Sequence, residues 1–288
     1  MFKSKNILSL ILICFLAFTL ALTGCASDNN NQPPAQNGES QDSQQGEELK
    51  TVKVGATAVP HAEILEFIKP KLAEKGIDLQ IEVFNDYVQP NLATDSGDLD
   101  ANFFQHIPYL ETFNEERNLN LVTVTKVHIE PMGIYSTKAT SLDELGEGQI
   151  AIPNDPTNSG RALALLEAAG VIKLRPGTGI SGTVDDIAEN PKNFKITMID
   201  AAQLPRVLND PKVAGAVINT NYALEAGLNP VKDALHIEDK ESPYSNVLVA
   251  KAERADDPVL KEVAKELTSE DVKKFIEEKY QGAVVPAF

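Results

Sequence analysis

The segment NDPTNSGRALALL, residues 154–166, places amides, a hydroxyl, a glycine and an arginine where a strand gives way to a helix. Asn158 and Ser159 can cap that helix by accepting from its first backbone N–H groups. Gly160 removes a side chain where a ligand could approach closely. Arg161 falls in the first turn on this reading, where the helix dipole disfavours a cation. An anion held between the guanidinium and the exposed N–H groups resolves that conflict, and a carboxylate suits the bidentate fork. An arginine exposed at a loop is the plain alternative. Asn219, Asn221 and Tyr222 follow the buried-looking strand VAGAVI. Ligands sit at such strand ends in open α/β sheets, although asparagines also serve as caps and turn formers. Asn85, Asp86 and Tyr87 follow another strand in the same way. The stretch DANFFQHIPYL concentrates Phe103, Phe104, His106 and Tyr109 in a chain without tryptophan. It reads either as a strand end feeding the core or as the apolar wall of a pocket.

Signals for catalysis are thin. The chain has no G-x-S-x-G, H-E-x-x-H or C-x-x-C. His61, His106, His128 and His236 stand singly, without metal-ligand spacing, so no metal and no cofactor is expected. Carboxylates are abundant, but no segment marks a catalytic pair. The hexapeptide GTGISG, residues 177–182, matches G-x-G-x-x-G and has Asp200 beyond it. Pro176 precedes it, no long strand leads in and no clear helix begins at Gly182, so a dinucleotide site is rejected. A binding protein is expected, not an enzyme.

The elements that must position these residues alternate. KTVKVGAT reads as a strand and HAEILEFIKPKLAEKG as an amphipathic helix that Pro70 kinks or divides. DLQIEVF and LDANFFQ follow as strands, with YVQPNLATDSG and IPYLETFNEERN as helices. The long apolar run LNLVTVTKVHIEPMGIYSTK breaks at Pro131. A second α/β set then runs from GQIAIPND to TNYALEAG, and SNVLVAKA with a helical stretch from Asp257 to Tyr280 closes the chain. Strands alternating with helices argue for parallel α/β architecture. Two such sets suggest two domains, the second inserted in the first, with one larger sheet as the alternative.

At the N-terminus, Lys3 and Lys5 precede an apolar run from Ile7 to Leu22, and LTGCAS follows. That is the layout of an export signal, and the run is slightly short for a membrane span. LTGC resembles a lipobox, with Cys25 lipidated as the first mature residue. Residues 26–49 are almost free of apolar side chains and are expected to form a disordered tether. The second cysteine, Cys14, lies within the signal, so a disulfide is not expected. With 26 basic against 42 acidic residues, net −16, nucleic acid and anionic lipid are poor partners.

Together, FNDYVQPN, DANFFQHIPYL, IPNDPTNSGRAL, ENPKNFKI, AQLPR, AVINTNYA and EDKESPY resemble the methionine-binding lipoproteins of bacterial methionine ABC transporters. This is an NlpA-type lipoprotein family of the periplasmic-binding-protein superfamily. The similarity runs from about Lys50 to the C-terminus. It implies an α/β, two-lobed fold of type II-like form, with a hinge and an interlobe ligand cleft. The signal peptide would be 1–24, the lipidated cysteine and tether 25–49, lobe 1 residues 50–137 plus 243–288, and lobe 2 residues 138–242. Carried over by motif, Arg161 would grip a ligand carboxylate with Asn158 beside it, and Asn219 would bond the polar end of the ligand. Tyr87, Phe104, His106 and Tyr109 would line the thioether pocket, and Tyr222 is taken as a further ligand-binding residue. Phe103 and Phe104 face opposite sides of a strand, and Phe104 is taken as the ligand-facing one. The chain departs from a common family form at Phe103, where a small residue is frequent, and at Asn221, where threonine is frequent. The resemblance implies a lipid-anchored monomer on the extracytoplasmic face of the cell membrane. It would capture methionine, L ahead of D, and deliver it to an ABC permease driven by an ATPase. A methionine-containing dipeptide or another hydrophobic amino acid is the alternative ligand. Replacing Arg161 by alanine is expected to abolish binding and leave apo thermal unfolding nearly unchanged.

Overall fold

The computed structural model describes residues 49–239 and 243–288. The export signal, Cys25 and the tether fall outside the described residues. Among the described residues no helix is long and apolar enough to cross a membrane.

The chain opens with β1 (Lys50–Thr57) and α1 (Glu63–Ala73), followed by β2 (Ile77–Phe84), α2 (Gln89–Ser96), β3 (Ala101–His106), α3 (Ile107–Arg117) and β4 (Leu121–Ile129). It then changes sheet, running through β5 (Gly133–Tyr135), β6 (Gln149–Pro153) and α4 (Pro156–Ala168). The short ribbon of β7 (Lys173–Leu174) and β8 (Ile187–Glu189) comes next, then β9 (Lys195–Ile199), α5 (Leu204–Val207) and β10 (Val213–Ile218). The helices α6 (Thr220–Glu225) and α7 (Pro230–Asp233) lead to β11 (His236–Ile237). The chain returns to the first sheet with β12 (Ser245–Lys251), then α8 (Pro258–Leu267), α9 (Glu270–Tyr280) and β13 (Val285–Pro286).

Two mixed sheets result. The first has the order β13-β4-β12-β3-β1-β2 and the second β11-β5-β10-β6-β9. In the first, β1 runs parallel to β2 and β3, whereas β12 pairs antiparallel with β3 and β4. In the second, β6 is parallel to β9 and β10, and β5 is antiparallel to β10 and β11. The parallel character expected from the alternation therefore holds for β1, β2 and β3 in the first sheet and for β6, β9 and β10 in the second. The antiparallel strands are those that leave or re-enter a sheet.

Each lobe has its own core. α1 presents Ile64, Leu65, Ile68 and Leu72 to the first sheet, the spacing of one helix face, where they meet Leu260 and Leu267 of α8 and Ile276 of α9. Of the two expectations for Pro70, division is not met: α1 runs through it from Glu63 to Ala73. An interior proline costs about 3 kcal/mol. Burying Ile68 and Leu72 on either side returns roughly 1.5–3 kcal/mol each. One lobe boundary also shifts. The sequence reading puts Gly133–Tyr135 in lobe 1, yet the strand pairs with β10 and β11 in the second sheet. Proline cannot donate to a ladder, so β4 stops before Pro131 and the chain changes sheet there.

Gly160 explains the glycine-rich hexapeptide. A Cβ at this position would lie 2.1 Å from the carbonyl oxygen of Ile180. What approaches α4 closely is thus the segment Gly179–Ser181, not a ligand. Gly160→Ala should overpack this contact and destabilise the protein by about 1–3 kcal/mol, read from urea or thermal denaturation. A variant of wild-type stability would show that the segment can be displaced at no cost.

Candidate functional site

α4 begins earlier than its sequence suggests. Asp155 is the N-cap, accepting from the backbone N–H of Asn158 at 2.9 Å. Asn158 and Ser159 therefore sit inside the helix, and Arg161 lies beyond the first turn. This shift releases the Asn158 side chain from capping. Its Nδ2 donates to both Asp155 oxygens, at 2.9 and 3.1 Å. A carboxylate can only accept, so the amide orientation follows: Asn158 Oδ1 must point away from Asp155.

That oxygen receives two donors from opposite lobes. His106, at the end of β3, caps α3 by accepting the Tyr109 N–H at Nδ1, 3.2 Å away. Its Nε2 is then the protonated nitrogen and donates to Asn158 Oδ1 at 3.1 Å. Asn219, the N-cap residue of α6, makes no side-chain cap. Its Nδ2 donates to the same Asn158 oxygen at 2.9 Å. Asn219 Oδ1 is thereby turned away, buried and without a hydrogen-bond partner among the described residues. A second relay has the opposite outcome. The Tyr87 hydroxyl donates to Asn221 Oδ1 at 2.6 Å, which leaves Asn221 Nδ2 buried without an acceptor. One bare acceptor and one bare donor border the same space.

The space is a pocket lined by both lobes. Lobe 1 supplies Tyr87, Phe104, Gln105, His106 and Tyr109, and lobe 2 supplies Asn158, Arg161, Asn219, Thr220 and Asn221. Glu130 at the first crossing and Asn246 at the start of β12 complete it. The rings of Tyr87, Phe104 and Tyr109 form the apolar wall, with centroids 5.8–6.1 Å apart. Phe104 faces the cavity, while Phe103 is wholly buried in the first core, edge-on to His61 at 4.7 Å. Tyr222 does not line the cavity. It packs against the Tyr87 ring at 5.0 Å and donates to the Asn85 carbonyl at 3.3 Å, so it supports the wall from behind. His106 does line it, but its nitrogens are spent on the α3 cap and on Asn158.

Arg161 is held differently from the simple carboxylate clamp. Its Nε and Nη2 donate to the two oxygens of Glu238, at 3.0 and 2.5 Å, and Nη2 also reaches the Glu130 carbonyl at 2.8 Å. The Tyr244 ring stacks on the guanidinium 4.0 Å from its carbon. Only Nη1 has no protein acceptor among the described residues. Glu130 lies in one crossing between the sheets, while Glu238 and Tyr244 lie in the other. Arg161 is thus a buried rivet as well as a cavity residue, and its removal would leave Glu238 uncompensated. This overturns the expectation that Arg161→Ala spares apo stability.

The singly placed histidines converge in part. His128 Nε2 donates to Glu130 Oε1 at 2.7 Å, and His61 Nε2 lies 3.2 Å from the same oxygen and 3.0 Å from Asn246 Oδ1. His61, His128 and Glu130 are the described residues grouped closely enough to hold a metal. Their separations are nevertheless hydrogen-bond lengths. His128 Nδ1 is buried without the acceptor that a metal-ligating histidine ordinarily has. Burial lowers His61 to about 4 and His128 to about 3. Burial and the Arg161 charge lower His106 to about 3. All three stay neutral above those values, and Glu130 accepts from neutral donors.

Sequence reasoning missed Glu130, Gln105, Thr220, Asn246 and Glu238. His128 and Glu130 are two apart on an extended segment and so share a face, a signal that could have paired them. Glu238 is one of 42 acidic residues and carries no local mark.

The family model described as "NlpA lipoprotein" matches residues 52–288. The chain belongs to that family. It is 41 % identical over 269 residues to the D-methionine-binding lipoprotein MetQ of Escherichia coli, covering 93 % of each chain. A crystal structure of the methionine-binding protein MetQ superposes with a TM-score of 0.80 at 43 % identity, covering 83 % of this chain and 98 % of that one. A nutrient-binding protein from Burkholderia cenocepacia, solved bound to methionine, gives a TM-score of 0.79 at 48 % identity, covering 82 % and 100 %. The relatives are named as binding proteins and lipoproteins, and the two-lobed α/β fold is shared with them.

The neutral histidines set a pH dependence. In the unfolded chain each titrates near 6.5. Between about pH 4 and 6.5 the unfolded state therefore binds protons that the folded state refuses, and stability rises with pH. Burial pushes Glu130 and Asp155 upward, which acts in the opposite sense. Each of the three histidines acts across the whole window, from about 3–4 in the fold to near 6.5 in the unfolded chain. The thermal midpoint should climb from pH 4.5 to 6.5 and level off above. A flat or falling midpoint across that window would contradict neutral burial of the three rings.

Proposed function

We propose that the protein is a non-enzymatic, lipid-anchored substrate-binding protein. It captures methionine, L ahead of D, between its lobes and hands it to an ABC permease and ATPase on the extracytoplasmic face of the membrane. The observation that carries this reading is the pair of bare buried atoms, Asn219 Oδ1 and Asn221 Nδ2, bordering one cavity that Arg161 also lines. A buried polar group without a partner costs about 1–3 kcal/mol, so two of opposite polarity call for a ligand with both a donor and an acceptor end. An α-amino acid has both. Its ammonium would meet Asn219 Oδ1 and its carboxylate would meet Asn221 Nδ2 and Arg161 Nη1. The wall of Tyr87, Phe104 and Tyr109 suits a thioether, since sulfur–aromatic contacts contribute about 0.3–1.5 kcal/mol each. The roles of these residues, with His106 and Asn158 holding the polarity and Tyr222 bracing Tyr87, are part of the proposal.

Titration calorimetry with L-methionine, D-methionine and glycyl-methionine tests the ligand. L-Methionine should bind most tightly, and silence with all three would sink the reading. Arg161→Ala should lose binding and also lower the apo thermal midpoint by several degrees, because breaking a buried ion pair costs about 3–5 kcal/mol. Retained methionine binding in that variant would remove Arg161 from the site.

Cys25 carries the anchoring half of the proposal. Its position after LTG makes it the lipidation site, and a lipid chain supplies membrane affinity that an acidic protein otherwise lacks. Cys25→Ala should shift the protein from the membrane to the soluble fraction after cell lysis, whereas continued sedimentation with membranes would refute the anchor.

A further inference from the structure

The charges around the cavity do not balance evenly between its two ends. Arg161 is already matched: Glu238 takes Nε and Nη2 through both carboxylate oxygens, so this cation and this anion cancel. The other formal charge on the cavity wall is Glu130. His128 donates a hydrogen bond to it and His61 lies 3.2 Å from the same oxygen, neither adding charge. The backbone N–H of Asn221 also points to its carboxylate. Asp155 stands one residue back, spending its oxygens on Asn158 and Thr157. The remaining lining consists of uncharged phenols, amides, a hydroxyl, a neutral imidazole and Phe104. Glu130 is thus the acidic side chain on the cavity wall, beside the bare acceptor Asn219 Oδ1.

We infer that the cavity selects its ligand chiefly by the ammonium group, with Glu130 as the specificity-determining residue, and that the ligand carboxylate is the more dispensable end. This inference rests on the amino-acid reading of the same site. A ligand without an amine leaves Glu130 uncompensated and Asn219 Oδ1 bare, and it brings a further negative charge into a low-dielectric space. A ligand whose carboxylate is replaced by a carboxamide keeps the ammonium. It still offers a carbonyl oxygen to Asn221 Nδ2 and Arg161 Nη1, and Arg161 stays balanced by Glu238. The asymmetry follows from Glu238, since an arginine without that partner would demand an anion.

Three ligands of nearly equal size separate the two ends: L-methionine, L-methioninamide and 4-(methylthio)butanoate, which lacks the amine. By calorimetry on the wild-type protein, the amide should bind within roughly 10-fold of methionine, and the desamino acid at least about 100-fold more weakly. Glu130→Gln retains the size and an oxygen acceptor for His128. It should narrow the gap between the amide and the desamino acid by at least about 10-fold, at a thermal midpoint checked alongside. If the desamino acid binds the wild type as well as the amide does, the inference is overturned. It is equally overturned if Glu130→Gln weakens both ligands by the same factor. Should the variant not fold, the wild-type ranking alone decides. A failure of methionine itself to bind would instead count against the amino-acid reading and is seen in the first titration.

Discussion

The guanidinium of Arg161 is the constraint around which the site is built. A buried arginine must find an acceptor for each N–H it withdraws from water, and three here go to protein groups on the two crossings between the sheets. Tyr244 covers its face. Such a rivet adds little net stability over an apolar substitute, but breaking it strands a charge. It therefore acts mainly to hold α4 and both crossings in one arrangement. The close approach of the Ile180 carbonyl to Gly160, one residue before the arginine, belongs to the same packing. Arg161 also lines the cavity, so that arrangement sets part of its wall.

Polarity at the cavity wall is inherited too. Asparagine can present either an oxygen or an NH₂ group, and nothing in the residue itself decides which. Asp155, which can only accept, and His106, whose other nitrogen is occupied by a helix cap, together force Asn158 one way round. Asn158 forces Asn219. Tyr87 sets Asn221 by a separate route. The result is a bare acceptor and a bare donor whose positions depend on contacts from both lobes. The site is complete only when the lobes are together, which is the physical content of a cleft that closes on its ligand.

Much of the local structure was legible in the chain. Strand and helix alternation located the elements, and the turn residues after β2, β3, β6 and β10 pointed to Tyr87, His106, Asn158 and Asn219 as candidates. Errors came where one local rule competed with another. Asn158 is a good N-cap, but Asp155 three residues earlier is equally good and was chosen, which moved Arg161 by a turn. Pro70 is a helix breaker by local rule, and core burial on both sides of it prevailed. Tyr222 stands at the correct strand end yet faces the back of Tyr87, because a short helix following a strand can turn its residues to either side.

What the sequence determined by itself was the inventory and its order: an export layout with Cys25, two α/β sets, aromatic residues at one strand end and polar ones at others. These depend on spacing within a few residues and survive without knowledge of the fold. Only tertiary structure decided that Glu238 occupies the fork of Arg161, that Glu130 also lies against His61, and that Asn246 joins the wall. Those pairs lie tens of residues or more apart in the chain, or on different lobes. A carboxylate among 42 acidic residues has no local feature that tells which cation it will meet. Electrostatic partnership is set by distance in space, and burial then decides how much each partnership matters.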